Sequence, residues 1–207
     1  LDTLASPRYT VGVMKPFLIG LAGLSGAGKS TLADHLDAQG GVKRFRLDAY
    51  YKDAAQCPKL DDGRPHWDLP ESLHLDDVHQ ALTDLRGGSE VFVPIYNRRL
   101  CAATGEMLYT PAPVIFAEGL QLFSDDRIRN MFDLRLWLDI DEKTALERRL
   151  LRQPEYDIEY HRKVALPAQR EIVLPLQVHA HETIDGSLSI KDVAGATDSI
   201  LRRFLGV

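Results

Sequence analysis

The chain has 207 residues, which is enough for one α/β domain with a substantial core and a small inserted lobe, and which argues against a second full domain. Hydrophobic residues make up 44% and charged residues 27%, as in ordinary globular proteins, and the apolar runs are too short to cross a bilayer. The formal net charge of -5 argues against broad nucleic-acid binding, so we interpret clustered arginines as sites for small anions.

The first predicted elements are two strands separated by a helix. Residues 1–16 have no hydrophobic period and are interpreted as a loose lead-in. The run FLIGLAG from Phe17 is typical of a strand buried on both faces, and a helix is expected over 31–38. VKRFRLD predicts a second strand that ends on Asp48. The polar stretch 49–70 has no period and is long for a connector, which indicates a functional loop.

The middle of the chain predicts a helix, a hairpin and a further buried strand. The helix begins at about Pro70 and ends at RGG, and one face carries Leu75, Val78, Leu82 and Leu85. EVFVPIY and EMLY are expected to form two short strands joined across CAATG. PVIFAEG predicts another buried strand, which ends on Glu118.

The last third continues the alternation of helices and strands. LRLWLDI and HETID are expected to be strands, and helices are expected at 125–131, 141–152 and 191–204. A charged segment reaching about residue 176 is also expected to be helical, with a kink or an end at Pro167 and Pro175. Alternating strands and helices predict an α/β fold with a mainly parallel sheet and helices on both faces.

Two cysteines, Cys57 and Cys101, lie apart in the sequence. They are too few for a disulfide framework and lack the paired spacing of a zinc site, so we expect both to be reduced. No secretory signal pattern opens the sequence. These features predict a cytoplasmic protein that acts on neither membranes nor nucleic acids.

Residues 23–30, GLSGAGKS, match the spacing G-x-x-x-x-G-K-[ST] of a phosphate-binding P-loop. The glycines let backbone N–H groups turn towards a β-phosphate, and the positive end of the following helix adds to the attraction. Lys29 would reach the β- and γ-phosphate oxygens, and Ser30 would hold Mg2+. A predicted strand and helix flank the motif, so we expect the chain to bind a nucleoside triphosphate. The nucleotide-binding candidates are Gly23, Ser25, Gly26, Ala27, Gly28, Lys29, Ser30 and Thr31.

Asp48 is the first candidate for chemistry beyond nucleotide binding. Parallel strands bring their carboxyl ends to one edge of the sheet, so Asp48 is expected beside the phosphate loop. A carboxylate there could take the proton from an attacking hydroxyl group. On position alone, a cap of a helix or turn is an equally good interpretation.

Five phrases of the chain come in the order and spacing found in the uridine kinase family, which phosphorylates a nucleoside 5'-hydroxyl. They are LDAYYKD (47–53), HWDLPESLH (66–74), PIYNRR (94–99), VIFAEGL (114–120) and LERRLLR (146–152). The segment 165–184 is also similar to a late helix of that family, with two prolines eight residues apart. The resemblance covers about 17–184 and implies a P-loop NTPase three-layer sandwich with a small substrate-binding insertion.

The resemblance implies a set of catalytic groups. Asp48 stands where the family has its aspartate base, and Glu118 matches an acidic position near Mg2+ and its waters. Lys29, together with the lid arginines Arg149 and Arg152, would offset the charge of the phosphoryl group in transit. Without the resemblance, the two arginines would be interpreted as part of a solvated helix face.

The resemblance also implies an acceptor site. Asp68 matches the aspartate that holds the ribose hydroxyls, and its two acceptor oxygens suit a cis-diol. Trp67 takes the place of an aromatic residue against the base, with a packed tryptophan as the alternative. Tyr96 matches a tyrosine near the base, and Tyr51 and His161 complete the predicted acceptor-binding residues.

Two segments depart from the family pattern. After Tyr96 the family usually has an aspartate and then a base-contacting histidine, whereas this chain continues with Asn97, Arg98 and Arg99. The residues that would select the base can therefore not be identified from the sequence. The lid lacks the phrase RGR and is shorter, so its closure would depend on fewer arginines, with contributions from Tyr160, His161 or Arg162.

Together these observations predict one kinase domain over 17–207, with acceptor-binding segments at about 48–70 and 91–110 and a lid at about 149–163. The predicted reaction moves the γ-phosphoryl group of ATP or GTP, with Mg2+, to the 5'-hydroxyl of a uridine- or cytidine-like nucleoside. Nicotinamide riboside, pantothenate and phosphoribulokinase-type acceptors remain alternatives, as does a regulator that binds nucleotide without transfer. The resemblance further implies a homo-oligomer.

Overall fold

The computed structural model describes residues 15–206, so the predicted lead-in, except for its last two residues, lies outside the described part of the chain. This part contains seven strands, β1 to β7, at Phe17–Gly23, Val42–Arg46, Val91–Asn97, Ala102–Tyr109, Val114–Glu118, Leu134–Asp139 and Glu182–Asp185. Five of them form one sheet in the order β2-β5-β1-β6-β7, and every neighbouring pair is parallel. β3 and β4 form a separate antiparallel hairpin.

Both faces of the five-stranded sheet are covered. All residues of β5 and all but the first of β1 are buried, and successive side chains of a strand point to opposite faces. The α-helices α1 to α7 span Lys29–Ala38, Leu75–Arg86, Asp126–Arg129, Glu142–Arg152, Ile158–Tyr160, Leu166–Ala168 and Ile190–Leu205. The predicted α/β fold with a parallel sheet is confirmed. No helix within 15–206 combines the length and the apolar character needed to cross a membrane.

The predicted boundaries around Asp48 are wrong by a few residues. β2 ends at Arg46, and Asp48 lies in the 3-10 helical turn Leu47–Tyr50 that follows it. β2 pairs with β5 only up to Arg46, which lies opposite Glu118, so the ladder has ended before Asp48. The first helix begins at Lys29 rather than at residue 31, directly after the phosphate loop.

The helix expected from Pro70 begins later, at Leu75. Pro70–Ser72 form a 3-10 helical turn, and Leu73 is extended and bridges to Tyr51. Backbone hydrogen bonds to the segment around Tyr51 take the place of the first helical turn, as Lys52 N donates to Ser72 O at 2.9 Å. Tertiary pairing thus decides where this helix starts.

The hairpin turn lies at residues 98–101 and not across CAATG, because β4 already begins at Ala102. The side chain of Asn97 organises the turn, since its Oδ1 accepts hydrogen bonds from the N–H groups of Arg99 and Leu100 at 3.0 and 3.1 Å. Cys101 closes the turn with a φ of 50°, in the left-handed region that few side chains adopt. This turn sets the position of Arg98.

Residues 158–179 are helical throughout, and the two prolines do not end the segment. A π-helical stretch at His161–Ala165 precedes Pro167, and a second at Gln169–Val173 precedes Pro175. A proline lacks its N–H and clashes with the carbonyl four residues earlier, so a locally wider turn before each proline relieves the conflict. The segment contains the buried residue Gln169, which contacts the phosphate loop.

Candidate active site

The phosphate loop connects β1 to α1, where its backbone passes very close to the neighbouring strand and helix. Gly23 and Gly26 have φ values of 149° and 97°. A Cβ atom at Gly23 would collide with the carbonyl oxygen of Leu138, and one at Gly26 with that of Ala145. Both positions therefore require glycine for space as well as for conformation. The loop is held from behind by Gln169, whose Oε1 accepts a hydrogen bond from Ser25 N at 3.3 Å.

Lys29 is buried at the start of α1, with 8% of its surface exposed. Its Nζ donates hydrogen bonds to the carbonyl oxygens of Gly23 and Leu24, both at 2.9 Å. An ammonium group has three donors, so the loop orients the charge and leaves one donor for a ligand. Burial lowers the pKa of Lys29, while the carboxylates of Glu118 and Asp48 oppose that shift.

Glu118 lies at the end of β5 and faces the phosphate loop. Ser30 Oγ lies within 3.3 Å of both carboxylate oxygens. Arg44 of β2 forms an ion pair with the same carboxylate and donates to it from Nε at 3.2 Å, and it also pairs with Asp34 of α1. The side chains of Arg44 and Glu118 are 7% and 3% exposed, so the pair is buried. A hydroxyl and a carboxylate are the oxygen donors that Mg2+ prefers.

Replacing Arg44 by Met is expected to destabilise the fold by about 3 to 5 kcal/mol, because Glu118 would stay buried without its partner charge. Arg46→Met is the matched control, since Arg46 lies two residues away on the same strand and its side chain is 60% exposed. That variant should lose at most about 1 kcal/mol. Urea unfolding of the two variants measures both values, and equal losses would contradict the buried-pair interpretation.

Asp48 follows β2 at the same edge of the sheet as Glu118 and forms an ion pair with Arg98. Arg98 comes from the hairpin turn, 50 residues later in the chain. The pair joins Arg98 to Oδ2 of the carboxylate, which leaves Oδ1 to accept a hydrogen bond from another group. The side chain of Asp48 is 33% exposed, so a small molecule can reach it.

Asp68 is a buried carboxylate on the other side of the cavity, 7% exposed. Its Oδ2 accepts a hydrogen bond from the hydroxyl of Tyr160 at 2.9 Å, and the same hydroxyl accepts one from Trp67 N at 3.1 Å. Burial raises the pKa of Asp68, and the hydrogen bond from Tyr160 acts in the opposite direction. Burial also raises the pKa of Tyr160, so this phenol stays protonated and serves as a donor.

Three aromatic rings form one wall of the cavity. Trp67 meets Tyr51 edge to face with ring centroids 5.9 Å apart, and Tyr51 lies 5.9 Å from Tyr96. The hydroxyl of Tyr96 donates to the carbonyl oxygen of Lys52 at 3.4 Å. The first pair is inclined by 84° and the second by 45°, so the wall offers both ring faces and ring edges to a planar heterocycle. All three residues were expected at the acceptor site, and the structure brings them together.

The two arginines at the end of α4 face the phosphate loop. Arg149 hydrogen-bonds to Ser25 Oγ, and its guanidinium lies 3.9 Å from the centroid of the Tyr156 ring. Arg152 lines the cavity beside Arg149, and burial followed by the charge of Arg149 lowers its pKa. α4 starts at a firm cap, since Asp141 Oδ1 accepts a hydrogen bond from Thr144 N at 2.9 Å.

One cavity of about 420 Å³ joins these groups. Its lining includes the phosphate loop, the aromatic wall and Asp48, and the charge of Asp48 acts on both Lys29 and Tyr51. A volume in this range suits a small ligand. Among the predicted site residues that line it are Ser25, Gly26, Gly28, Lys29, Ser30, Thr31, Asp48, Tyr51, Trp67, Asp68, Tyr96, Glu118, Arg149 and Arg152.

His161 was predicted to contact the acceptor. It is not among the described residues that line the cavity. Its ring is 7% exposed and lies 5.8 Å from the ring of Tyr156. Burial and the charge of Arg149 lower the pKa of His161. The wider π-helical turn that begins at His161 directs this side chain behind Tyr156, where it supports that ring.

The residues of the site that were not assigned a role from the sequence include Arg44, Arg98 and Gln169, of which the first two left some signal. Arg44 lies on β2, the edge strand of the sheet, with its side chain buried, and a buried charge is unusual unless it is paired. Arg98 was noticed only as a departure from a family pattern. Gln169 gave no signal, because its contact with Ser25 spans 144 residues.

Comparisons with known proteins show which family this chain is similar to. The model of the phosphoribulokinase/uridine kinase family matches residues 18–157. A uridine kinase of Halalkalibacterium halodurans is 31% identical over 177 residues, which cover 80% of this chain and 84% of that protein. A uridine kinase of Streptococcus pyogenes serotype M5 is 26% identical over 203 residues, which cover 93% of this chain and 98% of that protein. The solved structure of a possible uridine kinase from Bacillus stearothermophilus shares the fold, with a TM-score of 0.55, 20% identity and coverage of 84% and 91%.

Proposed function

This chain belongs to the phosphoribulokinase/uridine kinase family and is a nucleoside kinase of the P-loop type, and from that premise we propose that it phosphorylates the 5'-hydroxyl of a uridine- or cytidine-like nucleoside. The phosphoryl donor in this proposal is ATP or GTP. One observation carries it: the phosphate loop, Asp48, Asp68 and three aromatic rings all line one cavity.

Nucleotide binding in the proposal rests on the phosphate loop. Backbone N–H groups of the loop, the N-terminus of α1 and the buried Lys29 would hold the β- and γ-phosphates. Ser30 and Glu118 form an oxygen donor set that would hold Mg2+, and the ion would offset part of the phosphate charge. Arg44 already pairs with Glu118 in the protein, so the buried carboxylate has a partner of opposite charge.

Acceptor activation in the proposal rests on Asp48. Its Oδ1 would accept the proton of the 5'-hydroxyl while Arg98 holds Oδ2. The hydroxyl oxygen then bonds to the γ-phosphorus as the bond from that phosphorus to the β,γ-bridging oxygen breaks, and the nucleoside diphosphate leaves. Arg149 and Arg152 would offset the charge on the group in transit, because both line the cavity beside the loop.

Acceptor recognition in the proposal rests on Asp68 and the aromatic wall. The two carboxylate oxygens of Asp68 can accept hydrogen bonds from the 2'- and 3'-hydroxyls. Trp67, Tyr51 and Tyr96 offer ring edges and faces to a planar base. Both sets of residues line the same cavity as Asp48 and the phosphate loop, as a 5'-linked acceptor needs.

A substrate panel tests this proposal. The protein is incubated with Mg2+ and ATP or GTP together with uridine, cytidine, nicotinamide riboside, pantothenate or ribulose 5-phosphate, and nucleoside diphosphate release and the mass of the product are measured. We expect a uridine or cytidine 5'-monophosphate. A product formed from pantothenate or ribulose 5-phosphate alone would move the acceptor to a different class. Nucleotide binding without any transfer would indicate a regulator instead.

A further inference from the structure

Tyr160 connects the predicted lid, 149–163, to the acceptor side of the cavity. Its hydroxyl donates to Asp68 Oδ2 at 2.9 Å and accepts from Trp67 N at 3.1 Å. These contacts span more than 90 residues of sequence. Because the phenol oxygen receives the Trp67 N–H, its own hydrogen is left to point at Asp68. The hydroxyl therefore restrains Oδ2 and, through it, the orientation of that carboxylate.

The same short segment is anchored to the acceptor loop at a second point. Asp157 caps the turn that carries Tyr160, since its Oδ1 accepts from Tyr160 N at 2.9 Å. Its Oδ2 pairs with Arg64 at 3.0 Å, and Arg64 also lies over the ring of Tyr160 at 5.8 Å. These contacts hold residues 157–160 against the loop that contains Asp68.

The other end of the lid meets the phosphate side. Arg149 bonds to Ser25 of the phosphate loop and stacks on Tyr156, which lies four residues before Tyr160. One segment thus touches both halves of the cavity. A lid that reached only the nucleotide would leave Asp68 unaffected by closure, whereas this lid completes the surroundings of Asp68.

We propose that Tyr160 is a positioning residue that orients Asp68 for two hydrogen bonds to a vicinal diol, so that discrimination between ribose and 2'-deoxyribose acceptors depends on the lid. The inference rests on the proposed function, because it takes the acceptor to be a nucleoside. An ionised carboxylate has about four lone-pair sites. Tyr160 occupies one of them on Oδ2 and leaves the others to the 2'- and 3'-hydroxyls.

Tyr160→Phe is the direct test, since it removes the hydroxyl and keeps the ring that packs under Arg64. We expect kcat/KM for a ribonucleoside to fall roughly tenfold, mainly through KM, and the value for the matching 2'-deoxynucleoside to fall much less. The preference for ribose would shrink accordingly. Glu159→Gln is the control, because Glu159 is the adjacent lid residue and pairs with Lys163 at the surface. It should leave both values unchanged.

The pH dependence of KM gives a readout that a loosened lid would not produce. The groups that face Asp68 are Tyr160, Arg149, His66 and His161. Tyr160 stabilises the ionised form of Asp68, so its loss raises the pKa of that carboxylate further. As the pH falls, acceptor binding should therefore weaken at a higher pH in Tyr160→Phe than in the unsubstituted protein.

The outcomes separate the two levels of the proposal. If the unsubstituted protein phosphorylates no nucleoside, the proposed function fails and the inference fails with it. If it phosphorylates ribonucleosides but Tyr160→Phe lowers ribose and 2'-deoxyribose acceptors equally, the role of Tyr160 alone is overturned. Asp68→Asn provides a second route, because the double variant Tyr160→Phe/Asp68→Asn should lose no more ribose preference than Asp68→Asn by itself. Additive losses would overturn the proposal.

Discussion

Asp48→Asn is expected to lower kcat by about 10² to 10⁴ while nucleotide binding stays near its original strength, because the amide cannot take the acceptor proton. The amide keeps the size of the side chain and one oxygen near Arg98, so the cavity keeps its shape. Nucleoside diphosphate release measures kcat, and calorimetric titration with the nucleotide measures its Kd. The expected pattern is a loss of transfer without a loss of binding.

The control for this variant is Asp76→Asn. Asp76 lies in the first turn of α2, its side chain is 87% exposed, and it pairs with Arg127 at the surface. It should retain full turnover. A near-normal turnover of Asp48→Asn would remove Asp48 from the role of base, and a parallel loss of nucleotide binding would indicate that Asp48 supports the phosphate loop instead.

Arg149→Gln is expected to lower kcat by roughly 10³, the effect seen when an arginine that neutralises a transferring phosphoryl group is removed. In the structure this guanidinium bonds to Ser25 of the loop and stacks on Tyr156, so it is held beside the site where the γ-phosphate is proposed to lie. The kcat of Arg149→Lys should lie between that of Arg149→Gln and that of the unsubstituted protein, because lysine keeps the positive charge but lacks the planar guanidinium. Single-turnover kinetics with saturating nucleotide measure the chemical step.

Arg170→Gln is the matched control for the arginine variants. Arg170 lies in the helical segment 158–179 and pairs with Glu142 of α4 at 2.6 Å, with 58% of its side chain exposed. Its removal should change kcat less than twofold and stability by at most about 1 kcal/mol. If Arg149→Gln behaved like Arg170→Gln, Arg149 would be assigned to holding the lid in place.

Local patterns were sufficient for the phosphate loop. GLSGAGKS has the glycine, lysine and serine spacing of a phosphate loop, and the strand and helix beside it follow from burial and period. These are properties of neighbouring residues, so the sequence displays them directly. The same holds for the parallel sheet, since strands buried on both faces alternate with helices.

The ends of helices and strands were less predictable than their presence, for a physical reason. The alternation in VKRFRLD suggests a strand up to Asp48, but hydrogen bonding to β5 ends at Arg46 and the chain turns. Pro70 is a good first residue for a helix, yet pairing of Leu73 with Tyr51 delays the helix to Leu75. In both cases a partner distant in sequence decides where the local preference stops.

The sequence by itself determined the fold class, the phosphate loop and the identity of most cavity residues, because each depends on the spacing of nearby residues or on a pattern of motifs in order. The tertiary structure alone decided which polar and charged side chains meet. Arg44 and Glu118, Arg98 and Asp48, and Tyr160 and Asp68 lie 74, 50 and 92 residues apart. No local period relates such partners. They meet because the sheet order and the lid bring distant segments to one edge, where burial makes pairing necessary.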